Sequence, residues 1–328
     1  MGWGRMKNTF DNKKVLVTGG SGMIGRQLVN LLIERNAEVH IADLNEPKNI
    51  NGEVAFHSVD LKEFSQCKSI CQGMDYVFNL VGIKASPKAC LEQPANIMGP
   101  MIQFNTNMLE AAMWANVEWY LYTSTIGVYQ PAPILTENDL WQTVPSRNDW
   151  YGGWAKRMGE MQIEAFEKQY GSSKCSIVRP ANVYGTFDNF DLSSAMVIPS
   201  LIRKADENEV LDVWGDGSQI RDFINCKDVA KGMLYAVENK ITQPINLGSG
   251  SGVSIKQIAE IVSQYFNKPI QWNPTGVVGD AVRILDMQRA NSYGFYPEIS
   301  IEQGIIETIE WYLDNKNIIC KRYNSLQS

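Results

Sequence analysis

The stretch KVLVTGGSGMIGRQLVNLLIERNAEVHIAD, Lys14 to Asp43, decides the fold. Lys14–Thr18 is a short apolar run of strand length. Met23 to Arg35 places Ile24, Leu28, Leu31 and Leu32 on one face at helical spacing, and Glu38–Asp43 reads as a strand again. Between the first strand and the helix, TGGSGMIG sets glycines at positions 19, 22 and 25. Glycines so spaced let the backbone turn tightly, approach a pyrophosphate and pack the helix on the sheet. The amino end of the helix, at Met23, Ile24 and Gly25, then offers unpaired N–H groups and a partial positive charge to phosphates. An acidic residue, Asp43, closes the second strand at the distance a dinucleotide site requires. A carboxylate there accepts hydrogen bonds from the ribose hydroxyls of NAD and repels the extra phosphate of NADP, so NAD is the expected cofactor. Its plainer reading is a turn residue ahead of Asn45 and Pro47.

Outward from this unit the alternation continues. Val54–Val59, Tyr76–Val81, Trp119–Ser124 and Cys175–Arg179 read as strands, and Asn96–Ala115 and Gly153–Tyr170 as long helices. Strands alternating with helices predict βαβ units, hence a Rossmann-type, doubly wound parallel sheet covered on both faces. After Pro180 glycine and proline increase and the pattern loosens, with helices expected at Met196–Ala205, Val229–Asn239, Ile255–Phe266 and Ile301–Leu313. The expected organisation is an NAD-binding domain over residues 12–180, with later returns near 220–248, and a smaller α/β substrate-binding domain over 181–328.

Composition narrows the function classes. A chain of 328 residues with 44% hydrophobic content can bury a large core, and a formal net charge of −6 leaves no general footprint for nucleic acid. No apolar run reaches the roughly 18 residues of a membrane span. The polar leader MGWGRMKNTFDNKK lacks the apolar segment of a signal peptide. The six cysteines match no zinc spacing, although Cys67 and Cys71 lie one helical turn apart, and His40 and His57 fall in strand-like runs as structural residues. No metal is expected, and the compartment expected is the cytoplasm.

Further motifs follow in order: NLVGIKAS (Asn79–Ser86), NTNMLEAA (Asn105–Ala112), YTSTIGVY (Tyr122–Tyr129), WAKRMGE (Trp154–Glu160), RPANVYG (Arg179–Gly185), GDGSQIRDFINCKDVA (Gly215–Ala230) and NLGSG (Asn246–Gly250). As an ordered series they resemble the extended short-chain dehydrogenase/reductase family, in its NAD-dependent epimerase/dehydratase branch, over nearly the whole chain. AKRMGE and the segment after NVYG resemble the GDP-fucose synthase group. The resemblance implies NAD, a nucleotide-sugar substrate with GDP favoured, and a homodimer through the two long helices. It also implies that Val81 lines the cofactor, that Lys156 is the catalytic lysine and that Thr125 is the catalytic hydroxyl, with Ser124 beside the substrate as fallback. Asn182, Arg221 and Arg283 match residues that contact the sugar or its diphosphate; guanidinium forks suit phosphate oxygens, and a surface ion pair is the plainer reading of each arginine. Asp60 and Leu61 match the adenine edge, with an ordinary helix cap as the alternative for Asp60.

The pattern breaks at the tyrosine. The family places Tyr four residues before Lys, and here that position is Gly152; Tyr151 lies five before Lys156, about 140° round an ideal helix. If the helix starts only at Gly153, the glycine pair lets Tyr151 reach the site as acid/base, and otherwise Tyr129, Lys84 or a water moves the proton. Gly127 and Met196 stand where the group that inverts centres beside a keto carbon has Cys and His, and Ile126–Gly127 stand where dehydratases have Asp–Glu. The remaining chemistry is hydride and hydroxyl-proton transfer, expected at carbon 4, by an epimerase or oxidoreductase. The alternatives are a 4,6-dehydratase with a rearranged acid/base set and a non-catalytic NAD-binding regulatory protein.

Overall fold

The computed structural model describes residues 8–47, 50–83, 90, 92–171, 173–274 and 280–317. Seven strands build the main sheet: β1 (Lys14–Thr18), β2 (Glu38–Asp43), β3 (Ala55–Ser58), β4 (Tyr76–Asn79), β5 (Trp119–Thr123), β7 (Cys175–Pro180) and β11 (Ile245–Leu247). Their order is β11-β7-β5-β4-β1-β2-β3, with every neighbouring pair parallel. All residues of β4, β5 and β7 are buried, which a strand covered on both faces requires. On one face Leu28 and Leu32 of α1 (Met23–Glu34) share a core with Met233 and Val237 of a helix at Cys226–Glu238. On the other, α2 (Phe64–Cys71), α3 (Pro94–Trp114) and α4 (Trp150–Tyr170) bury Ile70, Met101, Met108 and Ile163. The strand order reverses between β1 and β4, and a crevice for ligand opens at such a point.

A second layer stands over that end. Its five-stranded sheet contains β6 (Ile134–Leu135), β8 (Asn182–Tyr184), β10 (Ile220–Asn225), β12 (Gly252–Ser254) and β14 (Val282–Leu285). Beside it, β9 (Leu211–Trp214) pairs with β13 (Ile270–Asn273). Helices at Val197–Glu207, Ile255–Phe266 and Ile301–Asn315 close its core. No helix among the described residues is long and apolar enough to cross a membrane.

One boundary corrects the sequence reading. The helix carrying Lys156 begins at Trp150, not Gly153. Ser146 caps a preceding 3-10 turn, Arg147–Asp149, by accepting from Asn148 N, and this turn runs directly into α4. The Arg147 guanidinium stacks on Trp150, which packs edge-on against Trp154, so local side-chain contacts help offset the roughly 1 kcal/mol that each glycine costs a helix. Gly153 serves a close approach: a Cβ there would lie 2.4 Å from Gly127 O and 2.7 Å from Pro145 Cβ.

Candidate active site

The crevice begins at the glycine loop. Gly19 holds φ +67°, and a Cβ on Gly25 would lie 2.3 Å from Gly19 O, so neither position tolerates a larger residue without displacing the loop. Gly22 is the N-cap of α1, with no side chain capping the helix and no acidic residue in its first turn, which includes Met23, Ile24 and Gly25. Thr18 Oγ1 donates to Asn79 Oδ1 (2.7 Å) and accepts from Leu80 N (3.2 Å), tying the ends of β1 and β4 together. Asn79 in turn donates to Tyr120 OH (2.9 Å) and to Asn105 Oδ1 (3.3 Å). Thr18 and Asn79 were not singled out in the sequence, because their role rests on a pairing across 61 residues.

Asp43 ends β2 beside the loop. Its Oδ2 accepts from Ser21 N (3.2 Å) and its Oδ1 from Leu44 N (2.8 Å) and Asn45 N (3.3 Å), so the turn and ribose readings share one geometry. A carboxylate has about four lone-pair sites, and acceptor capacity remains for a ribose. Asp60 accepts from Lys62 N (3.0 Å) in the turn ahead of α2, whose N-cap is Glu63, so Asp60 is not the helix cap of the alternative reading, while Leu61 is buried beside Cys67. His40 Nδ1 and His57 Nε2 lie 3.0 Å apart on strands β2 and β3, away from the glycine loop in sequence and paired with each other.

At the opposite end Lys156 is only 5% exposed. Its ammonium donates to Thr123 O (2.7 Å) and Val81 O (3.3 Å), which fixes it at the carboxyl ends of β4 and β5. Burial strips the ammonium of water and brings its pKa down to about 7, against the opposing pull of Glu160. Glu160 itself is held in a buried ion pair with Arg179 (2.6 Å), and Arg179 also donates to Tyr129 OH (2.8 Å). Tyr129 donates onward to Asn246 Oδ1 (2.7 Å), and burial raises its pKa further. This network removes Tyr129 from the candidates for proton transfer. Lys84 lies outside the described residues.

Thr125 ends the strand segment and caps a short turn, Ile126–Val128, by accepting from Gly127 N (3.2 Å). Its own hydroxyl hydrogen stays available to a substrate oxygen. Ser124 Oγ and Thr123 Oγ1 are buried with no hydrogen-bond partner among the described residues. NAD fits this crevice on two observations: the cradle at the glycine loop that a Cβ would fill, and these orphaned hydroxyls at the lysine end.

Tyr151 is the main correction. With the helix begun at Trp150, Tyr151 lies on a regular turn about 140° from Lys156 and is 41% exposed. The freedom expected from Gly152 and Gly153 is not used, and the tyrosine stays on the flank away from the lysine. Gly152 leaves space instead: the nearest atom to a Cβ there is Ile97 Cγ2 at 4.0 Å.

The arginines meet in the second layer, where Arg221 and Arg283 are cross-strand partners on β10 and β14. Among the described residues the Arg221 side chain makes one hydrogen bond, to Ile220 O (2.9 Å), and burial with the Arg283 charge lowers its pKa. Arg283 is mostly buried and engaged: it pairs with Asp149 Oδ2 (2.7 Å) and donates to Ile126 O (3.1 Å). An ion pair therefore engages Arg283 in this structure, with its own side chain mostly buried and that of Asp149 35% exposed. Asn182 donates to Asp222 O (2.8 Å) and so braces β8 against β10. Asp149 was missed in the sequence, since no spacing links it to Gly127 or Arg283.

Comparison with known proteins now bears on this geometry. Residues 15–248 match the model of the NAD dependent epimerase/dehydratase family. A GDP-L-fucose synthase of Sinorhizobium fredii is 29% identical, over 93% of this chain and 97% of its own. A dTDP-4-dehydro-6-deoxy-D-allose reductase of Streptomyces is 29% identical over 92% and 96%. A UDP-glucose 4-epimerase of Thermotoga maritima, solved with UDP-glucose, superposes with a TM-score of 0.79 at 28% identity, covering 92% of this chain and 99% of that one. The protein is thus an enzyme of the NAD-dependent epimerase/dehydratase family, with an extended short-chain dehydrogenase/reductase fold and NAD as its cofactor.

Proposed function

We propose that this enzyme oxidises or reduces carbon 4 of a hexose linked to a nucleoside diphosphate, as an epimerase or ketoreductase. The observation that carries the reading is Lys156, a buried amine with a pKa near 7 at the lysine end of the crevice, one strand end from the Thr125 hydroxyl. NAD, when bound, supplies the hydride acceptor or donor. Thr125 holds the reacting oxygen, and Lys156 takes or returns its proton, directly or through a water. A group whose pKa lies near the working pH is effective in both directions. Arg221, with its one carbonyl bond, is the arginine left to grip a diphosphate, while Arg283 holds the turn at Ile126. The similar proteins act on GDP-, dTDP- and UDP-linked sugars, which supports the substrate class without choosing a base. Exposed Met161 and Tyr170 beside the α3–α4 groove support a homodimer through those helices. The free thiols among the described cysteines support a reducing compartment such as the cytoplasm.

The test is a panel of GDP-, dTDP- and UDP-sugars with NAD, and of their 4-keto forms with NADH as the hydride donor, read by thermal stabilisation of the cofactor-loaded enzyme and then by product. A cognate sugar at a hundred times its Kd adds about 2.7 kcal/mol of stability. An epimer or a reduced sugar supports the reading; a panel without a product from any member overturns it. Because Tyr151 faces away from Lys156, Tyr151→Phe is expected to keep turnover within about threefold, as an exposed substitution of ordinary size does. A loss of a hundredfold or more in that variant would restore the tyrosine to the proton-transfer role.

A further inference from the structure

We propose that Tyr129 and Arg179 are positioning residues. With Glu160 and Asn246 they form a buried brace that holds the lysine end of the crevice and the arginine-bearing strands at one fixed separation. The inference rests on the reading that Lys156 moves the proton and Arg221 grips the diphosphate.

The brace starts on α4. Glu160 lies one turn beyond Lys156, about 40° from it round the helix. Its two oxygens accept from Arg179 Nε (3.0 Å) and Nη2 (2.6 Å), a bidentate pair that ties α4 to β7. Arg179 Nη1 donates to Tyr129 OH (2.8 Å), and Tyr129 donates to Asn246 Oδ1 (2.7 Å) on β11. Asn246 Nδ2 then donates out of the main sheet, to Leu135 O on β6 (3.1 Å) and to Asp286 O just beyond β14 (3.0 Å). A second path runs beside the first. Arg179 Nη1 also donates to Glu137 O (3.2 Å), and Asn246 N donates to Glu137 Oε1 (3.0 Å). The side chains of Glu160, Arg179, Tyr129, Asn246 and Glu137 are all buried.

The ends of the brace stand close to the chemistry. Arg283 lies on β14 just ahead of Asp286 and faces Arg221 across the strands. Tyr129 also closes the turn that Thr125 opens, by donating its backbone N–H to Ile126 O (3.2 Å). Lysine, hydroxyl and arginine strand are thus each anchored, a few residues away, to one hydrogen-bonded chain.

Stability is a poor account of such a chain. Desolvation offsets most of the attraction within a buried ion pair, and apolar side chains of the same volume often hold two layers together as well. Direction is what the polar chain adds. Hydrogen bonds weaken steeply when misaligned, and a fully satisfied buried network fixes one arrangement where apolar contacts would let the layers slide. A sugar reaches Lys156 while its diphosphate meets Arg221 only if those two ends keep their separation.

The experiment compares the full wild-type chain with Tyr129→Phe, Asn246→Ala and the double variant. Tyr129→Phe keeps the ring and removes the hydroxyl that joins Arg179 to Asn246. Asn246→Ala removes the link to β6 and β14. Dissociation constants for NAD and, separately, for GDP, dTDP and UDP are measured by titration. Turnover is measured on the GDP-, dTDP- or UDP-sugar that the wild type converts, well below each melting temperature. Each half of the site sits on one layer, so both sets of dissociation constants are expected to stay within about threefold of wild type. The kcat is expected to fall by about ten- to a hundredfold, the order lost when a reacting group is misplaced by about 1 Å. The double variant is expected to lose no more than the worse single one, because both substitutions cut the same chain. A fall in kcat with parallel losses in both half-site affinities marks a merely structural role and overturns the proposal. A kcat within about threefold of wild type in a folded variant, or losses that multiply, also overturns it. Where one single variant fails to fold, the other decides by the same split. No turnover by the wild-type chain on any sugar strikes the underlying reading, and the brace with it.

Discussion

Lys156→Met is expected to lower turnover by about 10²- to 10⁴-fold, the range lost with a single acid–base group. The expectation follows from its burial and its two carbonyl partners, which fix the amine at this end of the crevice. The pH dependence has a defined sign. Below about 7 the lysine is protonated and cannot accept a hydroxyl proton, so sugar oxidation by the wild-type enzyme rises with pH and levels above that value. Ketone reduction, which needs the proton, falls over the same range. Stability follows the linkage rule. The unfolded lysine keeps its proton up to about 10.5, whereas the folded one holds it only below about 7. The unfolded state therefore binds more protons between these values, and stability rises with pH across that window. Methionine removes this dependence and is expected to melt no lower than the wild type at neutral pH. Unimpaired turnover in Lys156→Met, or a pH–rate profile without a step near 7, would contradict the assignment.

Asp43→Asn is expected to shift the NAD-over-NADP preference by about 10²- to 10³-fold. Two unit charges about 4 Å apart near a protein surface repel by about 4 kcal/mol, and each 1.4 kcal/mol is tenfold in affinity. Asparagine keeps one carbonyl oxygen for the bonds from Leu44 N and Asn45 N and loses the charge together with the acceptor that Ser21 N uses. Dissociation constants for both cofactors, measured by titration in wild type and variant, check the claim. Stronger binding of NADP by the wild-type chain would overturn it.

Local chemistry made much of this legible in the chain alone. The glycine spacing from Gly19 to Gly25, the alternation of apolar strands with amphipathic helices and the position of Asp43 each depend on residues near one another in sequence. Periodicity and turn chemistry therefore suffice to read them. The placement of Lys156 on a long helix after the fifth strand was legible for the same reason. Helix boundaries were less secure. The glycine pair at 152 and 153 suggested a late start for α4, and only the stacking of Arg147, Trp150 and Trp154 shows why the helix begins earlier.

Sequence by itself thus determined the doubly wound sheet, the dinucleotide crevice and the lysine that faces it, because these follow from spacing within single βαβ units. Tertiary structure alone decided which groups share the reacting end. It locked Tyr129 beneath Arg179, engaged Arg283 and brought the Asp149 carboxyl beside Gly127. Those outcomes depend on contacts between residues up to 134 positions apart, such as Asp149 with Arg283, and no local pattern encodes so distant a pairing.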